Sequence, residues 1–520
     1  MRERLSFRPG AGRKAAAFYI PLWRVLPRKK WEGLSLLLFT ESQENSGMYK
    51  SIDIYDDKPH EECGVFGIFD RELSAAAETY YGIFALQHRG QESAGITVSD
   101  GKVMETFRGM GLVTEVFRHL PEKDGHIGIG HVRYSTTGSS IPANVQPLQA
   151  DSIDGSMALA HNGNLVNTKN LRRRLLLEGS TFQTSMDTEV IIKLLARSRR
   201  KTEEEKFIEL MDEIHGAYAI VACTNDALYG CRDPFGYRPL VLGRTEKGWV
   251  LASETPALDA IDAKFVRDIL PGEIVSIDDN GVRSTMYCPV ENHRHGICSF
   301  EYIYFARPDS IMNGQDIYQA RLNMGKKLWE ETHFDGDVVM SVPDSGNVAA
   351  LGYAQASGIP FVEGLLKNKY MGRTFIQPGQ KQRERAVRMK LNPIRMNVEG
   401  KRIILVDDSI VRGTTSGIII NLLRNAGAKE IKLCISSPPV RYPCFFGIDT
   451  AERKQLIAAK YPTEEICKMI GADALHYLSQ EGLAESISEL KKTDMCFACF
   501  DGIYPEPVPN NALGGMEEEE

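Results

Sequence analysis

Hydrophobic and polar residues follow different patterns in the two halves of this 520-residue chain. From Cys63 to about residue 280, short apolar runs such as Gly64–Phe69 and Ala217–Cys223 are separated by Gly, Asn and Asp turns, a pattern typical of antiparallel strands. Two amphipathic segments, Ala75–Gln87 and Asp187–Ala196, predict helices. We therefore expect stacked antiparallel sheets with helices outside them.

In the second half, apolar strands alternate with helical stretches. The pattern predicts strands at Asp337–Val342, Arg402–Val406 and Ile431–Ser436, and helices at Val348–Ser357 and Thr415–Ala426. This alternation is typical of βαβ units, in which the strands form one parallel sheet. A chain of this length is expected to hold about two to four domains.

Composition and charge exclude several classes of protein. The hydrophobic share of 42% and the charged share of 25% are typical of globular proteins. A net charge of −7 gives no electrostatic reason to expect nucleic acid as a partner. No run approaches about 18 apolar residues, so we expect no membrane span. The ten cysteines are too sparse for a disulfide scaffold, and no secretory signal precedes them, so we expect a reducing, cytoplasmic location.

The two ends of the chain differ from the rest. Residues 1–47 hold nine Lys or Arg against four Asp or Glu, with no sustained helical or strand period. We favour an over-extended gene start, with translation beginning at Met48. A transit peptide is the alternative, although the four acidic residues and the scarcity of serine argue against it. Glu517–Glu520 form an acidic tail, which we expect to be frayed and solvated.

Five ordered motifs in the first half carry candidate chemistry. Cys63 stands in Glu-Glu-Cys-Gly at the start of the first strand, and HRGQESAG (88–95), HVRYST (131–136), HNG (161–163) and SMDTE (185–189) follow. A lone cysteine is most often a small buried hydrophobic residue. In this order, however, the motifs resemble the glutamine amidotransferase domain of the N-terminal-nucleophile class, and the resemblance implies an αββα sandwich.

A thiolate suits this chemistry because it is a strong nucleophile towards an unactivated amide near neutral pH. In this class the cysteine is the first residue of the mature chain. Its own α-amine, with an ordinary pKa of about 7.7–8.0, then serves as the base. The resemblance therefore implies that everything before Cys63 is a removed propeptide, which is residues 1–62, or 48–62 if translation begins at Met48.

The same resemblance gives roles to four other residues. Arg133 would hold the α-carboxylate of glutamine, Asp187 would hold its α-ammonium, and Asn162 with the backbone N–H of Gly163 would form the oxyanion hole. Each also has a structural alternative. Arg133 is then an ion-pair residue, Asp187 a helix N-cap, and the Asn-Gly dipeptide a type I′ hairpin turn.

The strongest motif of the second half is Val-Asp-Asp-Ser-Ile-Val-Arg-Gly-Thr-Thr at 406–415. A buried strand ends here in two acids, and ligands of open α/β sheets bind at this edge. The loop that follows opens a helix, whose N-terminus offers N–H donors to a phosphate. A P-loop is excluded because GxxxxGK[ST] is absent. For the acid pair alone, the alternative is a strand end that caps a helix.

The whole string resembles the motif with which type I phosphoribosyltransferases bind phosphoribosyl pyrophosphate (PRPP). The resemblance implies a PRPP site made by Asp407, Asp408, Ser409, Arg412, Gly413, Thr414 and Thr415. The two acids would meet ribose hydroxyls and a hydrated Mg²⁺. Ser345, in a loop after another predicted strand, would be a further Mg²⁺ contact. Basic residues between 367 and 388 are a candidate lid, with a solvated basic loop as the alternative.

A glutaminase half joined to a PRPP half resembles the glutamine PRPP amidotransferase (amidophosphoribosyltransferase) family, from Glu61 to about Cys499. The resemblance implies that ammonia from glutamine passes inside the protein and displaces pyrophosphate from PRPP, giving 5-phosphoribosylamine in the first step of purine synthesis. It also implies purine nucleotide effectors of the AMP or GMP type and a homotetramer. The expected divisions are an extension or propeptide (1–62), a glutaminase domain (63–297), a phosphoribosyltransferase domain (298–480) and a C-terminal segment (481–520).

Four cysteines match one further feature of the family. They are Cys298, Cys444, Cys496 and Cys499. One branch of the family binds a [4Fe–4S] cluster through cysteines in these contexts, so the resemblance implies that cluster here, with structural zinc as the alternative. The other cysteines match no motif and are expected to be ordinary core or surface residues.

Other classes of protein share parts of this pattern. Glucosamine-6-phosphate synthase, asparagine synthetase and glutamate synthase share the first half, but the string ending at Thr415 argues against all three. A PRPP-sensing regulator that binds DNA without catalysis is the alternative from another class. The acidic chain, the lack of a visible helix-turn-helix and the motif set around Cys63 argue against the regulator.

Overall fold

The computed structural model describes residues 63–134, 140–288, 295–368, 391–448 and 452–508. The predictions for residues 1–62, for the acidic tail, and for the basic residues from Lys369 to Arg385 lie outside the described residues, as does the Ser-Thr end of the HVRYST motif. Within the described part of the chain, no helix is both long enough and apolar enough to cross a membrane.

Two antiparallel sheets form the centre of the first half. The seven-stranded sheet has the spatial order Lys264–Asp268, Val241–Arg244, Trp249–Ala252, Cys63–Phe69, Ile127–Arg133, Ser93–Ser99 and Met104–Met110. The six-stranded sheet has the order Gly281–Met286, Glu273–Asp278, Leu228–Arg232, Gly216–Cys223, Gly155–Leu165 and Leu148–Ser152.

Strand alternation sorts the side chains of this half into layers. In the first strand, Val65 and Phe69 face the core between the two sheets, while Phe66 and Ile68 face an outer core. Helices cover both outer faces: Ala75–Ala85, Val113–Val116 and Pro256–Asp259 on the seven-stranded sheet, and Thr168–Leu177, Asp187–Arg197 and Glu203–Glu213 on the six-stranded sheet. The expected αββα sandwich is confirmed.

The second half is built on a parallel sheet, as predicted. Its strands follow the order Val338–Ser341, Arg402–Asp407, Glu430–Ile435 and Ala474–Tyr477. Alternate residues of one strand enter opposite cores, with Ile404 on one side and Ile403 on the other, because both faces of a parallel sheet are covered. The helices are Ile317–Thr332, Asn347–Ser357, Arg395–Val398, Thr414–Asn425, Thr463–Ile470, Gln480–Ser486 and Ala498–Asp501.

Shorter elements complete the described chain. The two-stranded pairs are Ile297–Cys298 with Met495–Cys496, Ile311–Met312 with Gln315–Asp316, and Leu365–Lys367 with Leu391–Pro393. The 3₁₀ turns are Gln87–Arg89, Pro142–Asn144, Arg453–Gln455, Ile457–Ala459 and Lys492–Asp494, and Glu301–Phe305 is a π-helix.

A buried network of four charged side chains joins the two halves. Arg89 donates to Glu254 and, at 2.7 Å, to Glu301 of the π-helix, and Arg238 donates to the same Glu301 at 3.1 Å. All four side chains are at most 2% exposed. The second carboxylate oxygen of Glu254, Oε2, accepts hydrogen bonds from Ser310 Oγ and from the backbone N–H of Arg307. Two cations thus balance two anions, and all four side chains are almost fully buried.

We expect Glu301→Gln to destabilise the protein strongly. The change removes one of two negative charges facing Arg89 and Arg238, and breaking a buried charged pair costs about 3–5 kcal/mol. The loss is measured as a lower urea midpoint relative to the unsubstituted protein.

Glu72→Gln is the matched control, because Glu72 pairs with Lys247 at 3.1 Å where both side chains are mostly exposed. Exposed ion pairs contribute little to folding stability, so the urea midpoint of Glu72→Gln should equal that of the unsubstituted protein. An equal shift for both variants would contradict the importance of the buried network.

Candidate active sites

The structure places Cys63 and Arg133 side by side in the first half. Cys63 begins its strand, and Arg133, which ends the neighbouring antiparallel strand, is its register partner. Both residues are buried, at 7% and 1% exposure. The proposed nucleophile and the proposed carboxylate-binding residue therefore lie at one end of the same pair of strands.

Asn162 and Gly163 lie within a strand of the other sheet, where they pair with Ala219 and Tyr218. The alternative of a type I′ hairpin turn is therefore wrong. Gly163 has a φ of +138°, and a Cβ there would lie 2.1 Å from the carbonyl oxygen of Ala217, so the position requires glycine. Asn162 is 1% exposed, and its Nδ2 has no hydrogen-bond partner among the described residues.

Asp187 is the first residue of the Asp187–Arg197 helix, whose N-cap is the preceding residue, so the N-cap alternative is wrong. Its carboxylate accepts from the backbone N–H of Leu165 at 3.1 Å and lies 3.7 Å from Nδ1 of His161. Burial alone would raise the pKa of Asp187, but His161 and the backbone donors outweigh burial and lower the pKa. A buried, ionised carboxylate suits an ammonium group.

Two motif histidines, to which the sequence assigned no role, connect these residues. Nε2 of His131 lies 3.2 Å from the carbonyl oxygen of His161 and so joins the two sheets. His131 stands two residues before Arg133, and His161 directly precedes Asn162. Burial lowers the pKa of His131 to about 3, so its ring is neutral at physiological pH. The presence of a histidine in both the HVRYST and the HNG motif was the sequence signal for this contact. No spacing rule, however, predicts a contact between residues of two different sheets.

In the second half the structure joins Ser345 to the acid pair. The strands ending at Ser341 and Asp407 are parallel neighbours, so the loops that follow them meet. Ser345 Oγ donates to one carboxylate oxygen of Asp408 at 2.5 Å, and Ser409 Oγ donates to the other at 2.8 Å. Asp407, Asp408 and Ser409 are all buried.

The rest of the PRPP string forms a tight turn into a helix. Gly413 is the N-cap of the Thr414–Asn425 helix, with a φ of +80° that favours glycine. Thr415 is buried in the first turn of the helix. Nε of Arg412 donates to the side-chain oxygen of Gln455 at 3.2 Å. Lys367, the one described member of the candidate lid, pairs at 2.7 Å with Asp344 in the loop of Ser345.

The four candidate cluster ligands come from three distant segments that the fold brings together. Cys298 and Cys496 are register partners in a short parallel ladder. The carbonyl of Cys499 accepts from two backbone N–H groups just before Cys444, and the backbone N–H of Phe446 donates to the Sγ of Cys444 at 3.3 Å.

The electrostatics of these thiols indicate their proximity. Burial, with a smaller contribution from the neighbouring Cys444, raises the pKa of Cys298 to about 12. Burial also holds the pKa of Cys496 and of Cys499 well above its ordinary value, and the neighbouring cysteines add to the rise. Among the described residues, no three His, Cys, Asp or Glu side chains form a group that holds a single metal ion. The other cysteines behave as expected, with Cys223, Cys231 and Cys434 fully buried.

The fold and the two sites define a class of two-domain enzymes that join a glutaminase to a phosphoribosyltransferase. Comparison with family models agrees: residues 131–260 match the glutamine amidotransferase domain, and residues 311–438 match the phosphoribosyl transferase domain. The second match bears out the argument against the three enzymes that share only the first half.

Comparison with individual relatives identifies the family of the chain. It is 48% identical to the amidophosphoribosyltransferase of Methanocaldococcus jannaschii, with 88% of this chain and all of the relative covered, and 49% identical to that of Bacillus subtilis, with 86% and 95% covered. The solved B. subtilis glutamine PRPP amidotransferase, complexed with ADP and GMP, superposes with a TM-score of 0.82 at 48% identity and covers 87% of this chain and 99% of its own. The chain belongs to the amidophosphoribosyltransferase family.

Proposed function

We propose that the chain hydrolyses glutamine in its first half and uses the ammonia to replace the pyrophosphate of PRPP in its second half. The products are glutamate, 5-phosphoribosylamine and pyrophosphate, the first step of purine synthesis. The observation that carries this proposal is the near-50% identity, over both halves together, to relatives named amidophosphoribosyltransferase.

In the glutaminase half, the Sγ of Cys63 attacks the amide carbon of glutamine. The α-amine of Cys63, exposed once residues 1–62 are removed, takes the thiol proton and delivers it to the departing ammonia. The negative oxygen that forms receives hydrogen bonds from Nδ2 of Asn162 and the N–H of Gly163. The donor left without a partner at Asn162 supports this role. Water then cleaves the thioester and releases glutamate.

Two ionised residues orient the substrate in this half. Arg133 binds the α-carboxylate of glutamine and Asp187 binds its α-ammonium. The lowered pKa of Asp187 keeps its carboxylate ionised whenever glutamine carries its ammonium. Fixing both ends of the amino acid presents the side-chain amide to Cys63.

In the second half, the nitrogen of ammonia bonds to the anomeric carbon of PRPP as the bond to pyrophosphate breaks. Asp407 and Asp408 hold the ribose hydroxyls, while Ser409 and the 412–415 turn hold the phosphate. The pairing of Ser345 with Asp408 supports Mg²⁺ binding there, since hydroxyl and carboxylate oxygens suit this ion. Bound Mg²⁺ would neutralise the charge of the leaving group.

A [4Fe–4S] cluster held by Cys298, Cys444, Cys496 and Cys499 is part of the proposal. The convergence of four cysteines from three distant segments supports it. Structural zinc held by the same cysteines is the alternative. The cluster would supply a cross-link between the C-terminal segment and the body of the protein.

The remaining parts of the proposal concern partners and location. We propose purine nucleotide effectors, because the B. subtilis structure contains ADP and GMP, together with a homotetramer and a cytoplasmic location.

We expect Cys63→Ala to abolish glutamine-dependent synthesis, by more than about 1000-fold, while ammonia-dependent synthesis persists. The nucleophile serves only the first half, whereas added ammonia enters the reaction at the second. Phosphoribosylamine formation is measured with each nitrogen donor. Cys223→Ala, a buried cysteine of the same domain, is the control and should keep both activities. Loss of both activities in Cys63→Ala would instead indicate a structural role.

We expect Asp407→Asn together with Asp408→Asn to lower both the glutamine-dependent and the ammonia-dependent rate by about 100-fold or more. Both routes end at the PRPP site, so neither donor can bypass the loss. Asp335→Asn is the control, because this exposed acid lies at the opposite end of the same sheet. Retained turnover in the double variant would refute the assignment.

Protein purified without oxygen should be brown and contain about four iron atoms per chain, measured by metal analysis. Cys496→Ser should lower the iron content, since it removes one ligand, while Cys467→Ser, outside the set, should not. Colourless, active protein with one bound zinc would favour the alternative.

A further inference from the structure

Asn164, which directly follows the proposed oxyanion hole, connects that hole to the second half of the protein. Its Nδ2 donates at 2.8 Å to the carbonyl oxygen of Phe445. Phe445 belongs to the loop 443–446, which is 281 residues away in sequence and carries Cys444. The strand that holds Asn162 and Gly163 is thus tied to the other half within one residue of the oxyanion donors.

The loop 443–446 is itself firmly held against the glutaminase half. Phe446 stacks on Tyr237, with ring centroids 4.3 Å apart and an interplanar angle of 14°, and both rings are at most 3% exposed. Arg238, which also pairs with Glu301, donates to the carbonyl oxygen of Phe446 at 3.1 Å. A loop anchored in this way gives Asn164 a fixed acceptor.

The oxyanion strand needs such support because its backbone is irregular at Gly163. The φ of +138° turns this peptide away from the ordinary strand conformation and brings it against the carbonyl of Ala217. On the near side, His161 holds the strand through its ring, with Nε2 lying 3.4 Å from the same Ala217 oxygen. On the far side, the side-chain amide of Asn164 supplies the support.

We infer that Asn164 is a positioning residue for glutamine hydrolysis, which makes the geometry of the oxyanion hole depend on the docking of the 443–446 loop. The inference rests on the proposed oxyanion role of Asn162 and Gly163. Glutamine hydrolysis in the first half is then sensitive to the position of a loop in the second half, through one hydrogen bond rather than through the substrate-binding residues.

The test compares Asn164→Ala with Asn167→Ala. Asn167 is a matched control, because its Nδ2 also donates at 2.8 Å to a backbone carbonyl, that of Glu213, but within the glutaminase half. Both residues are half-buried and lie three positions apart. Three quantities are measured on the intact, anaerobically purified enzyme: glutamine kcat and KM, inhibition by an aldehyde analogue of glutamine, and ammonia-dependent synthesis with iron content.

Asn164→Ala should lower kcat for glutamine by about 10- to 100-fold, with KM unchanged to within about twofold. The aldehyde, which adds to the Cys63 thiol and places its oxygen in the oxyanion hole, should lose affinity by a similar factor. Ammonia-dependent synthesis and iron content should match the unsubstituted enzyme. Asn167→Ala should match it in every measurement. If the alanine variant fails to fold, Asn164→Ser is used in its place.

Three results would overturn the inference: unchanged kcat in Asn164→Ala, a parallel fall of ammonia-dependent synthesis or iron content, or an equal loss in Asn167→Ala. These results differ from a failure of the proposed function itself. In that case the unsubstituted enzyme would release no glutamate from glutamine.

Discussion

Two buried arginines paired with two buried glutamates join the two halves of the structure. Charges removed from water are tolerated only when each is matched and hydrogen-bonded, so Arg89, Arg238, Glu254 and Glu301 fix one arrangement of the two halves. Arg89 belongs to the motif that leads into a strand beside Arg133. Arg238 reaches the carbonyl of Phe446 in the loop beside Cys444. The same network therefore holds a segment next to the glutaminase site and contacts the loop 443–446.

The two sites use their sheets in different ways. In the first half, the candidate residues lie within or at the ends of strands in two stacked sheets, where Asn162 and Asp187 are buried and already oriented. In the second half, Asp408 and Ser345 follow the ends of parallel strands, the edge at which ligands of open α/β sheets bind.

The sequence was sufficient for the architecture, because strands and helices are marked by local patterns. Apolar runs and turn residues predicted strands such as Cys63–Phe69 to within a residue, and the acid pair was predicted at the end of its strand. The helix expected to reach Gln87 ends at Ala85, where a 3₁₀ turn takes over. The buried network of four charged side chains was not predictable, since its partners lie 63 to 212 residues apart and no periodicity marks such pairs.

Two local sequence patterns suggested structures that the fold does not adopt, because contacts between distant segments determine the conformation there. Asn-Gly is a strong turn signal, yet Gly163 lies inside a strand, where the carbonyl oxygen of Ala217 leaves no room for a Cβ. Aspartate is a common N-cap residue, but Asp187 lies one position after the N-cap. Its carboxylate lies 3.7 Å from Nδ1 of His161. The contact of Asn164 with Phe445 and the pairing of Cys298 with Cys496 depend on the fold of the whole chain.

If two sites in one chain perform one coupled reaction, each site should respond to the ligand of the other. The decisive measurement is glutamate release from glutamine by anaerobically purified protein, with and without PRPP and Mg²⁺. We expect release to rise sharply when PRPP and Mg²⁺ are present. Release at the same rate without PRPP, or no release under either condition, would contradict this expectation.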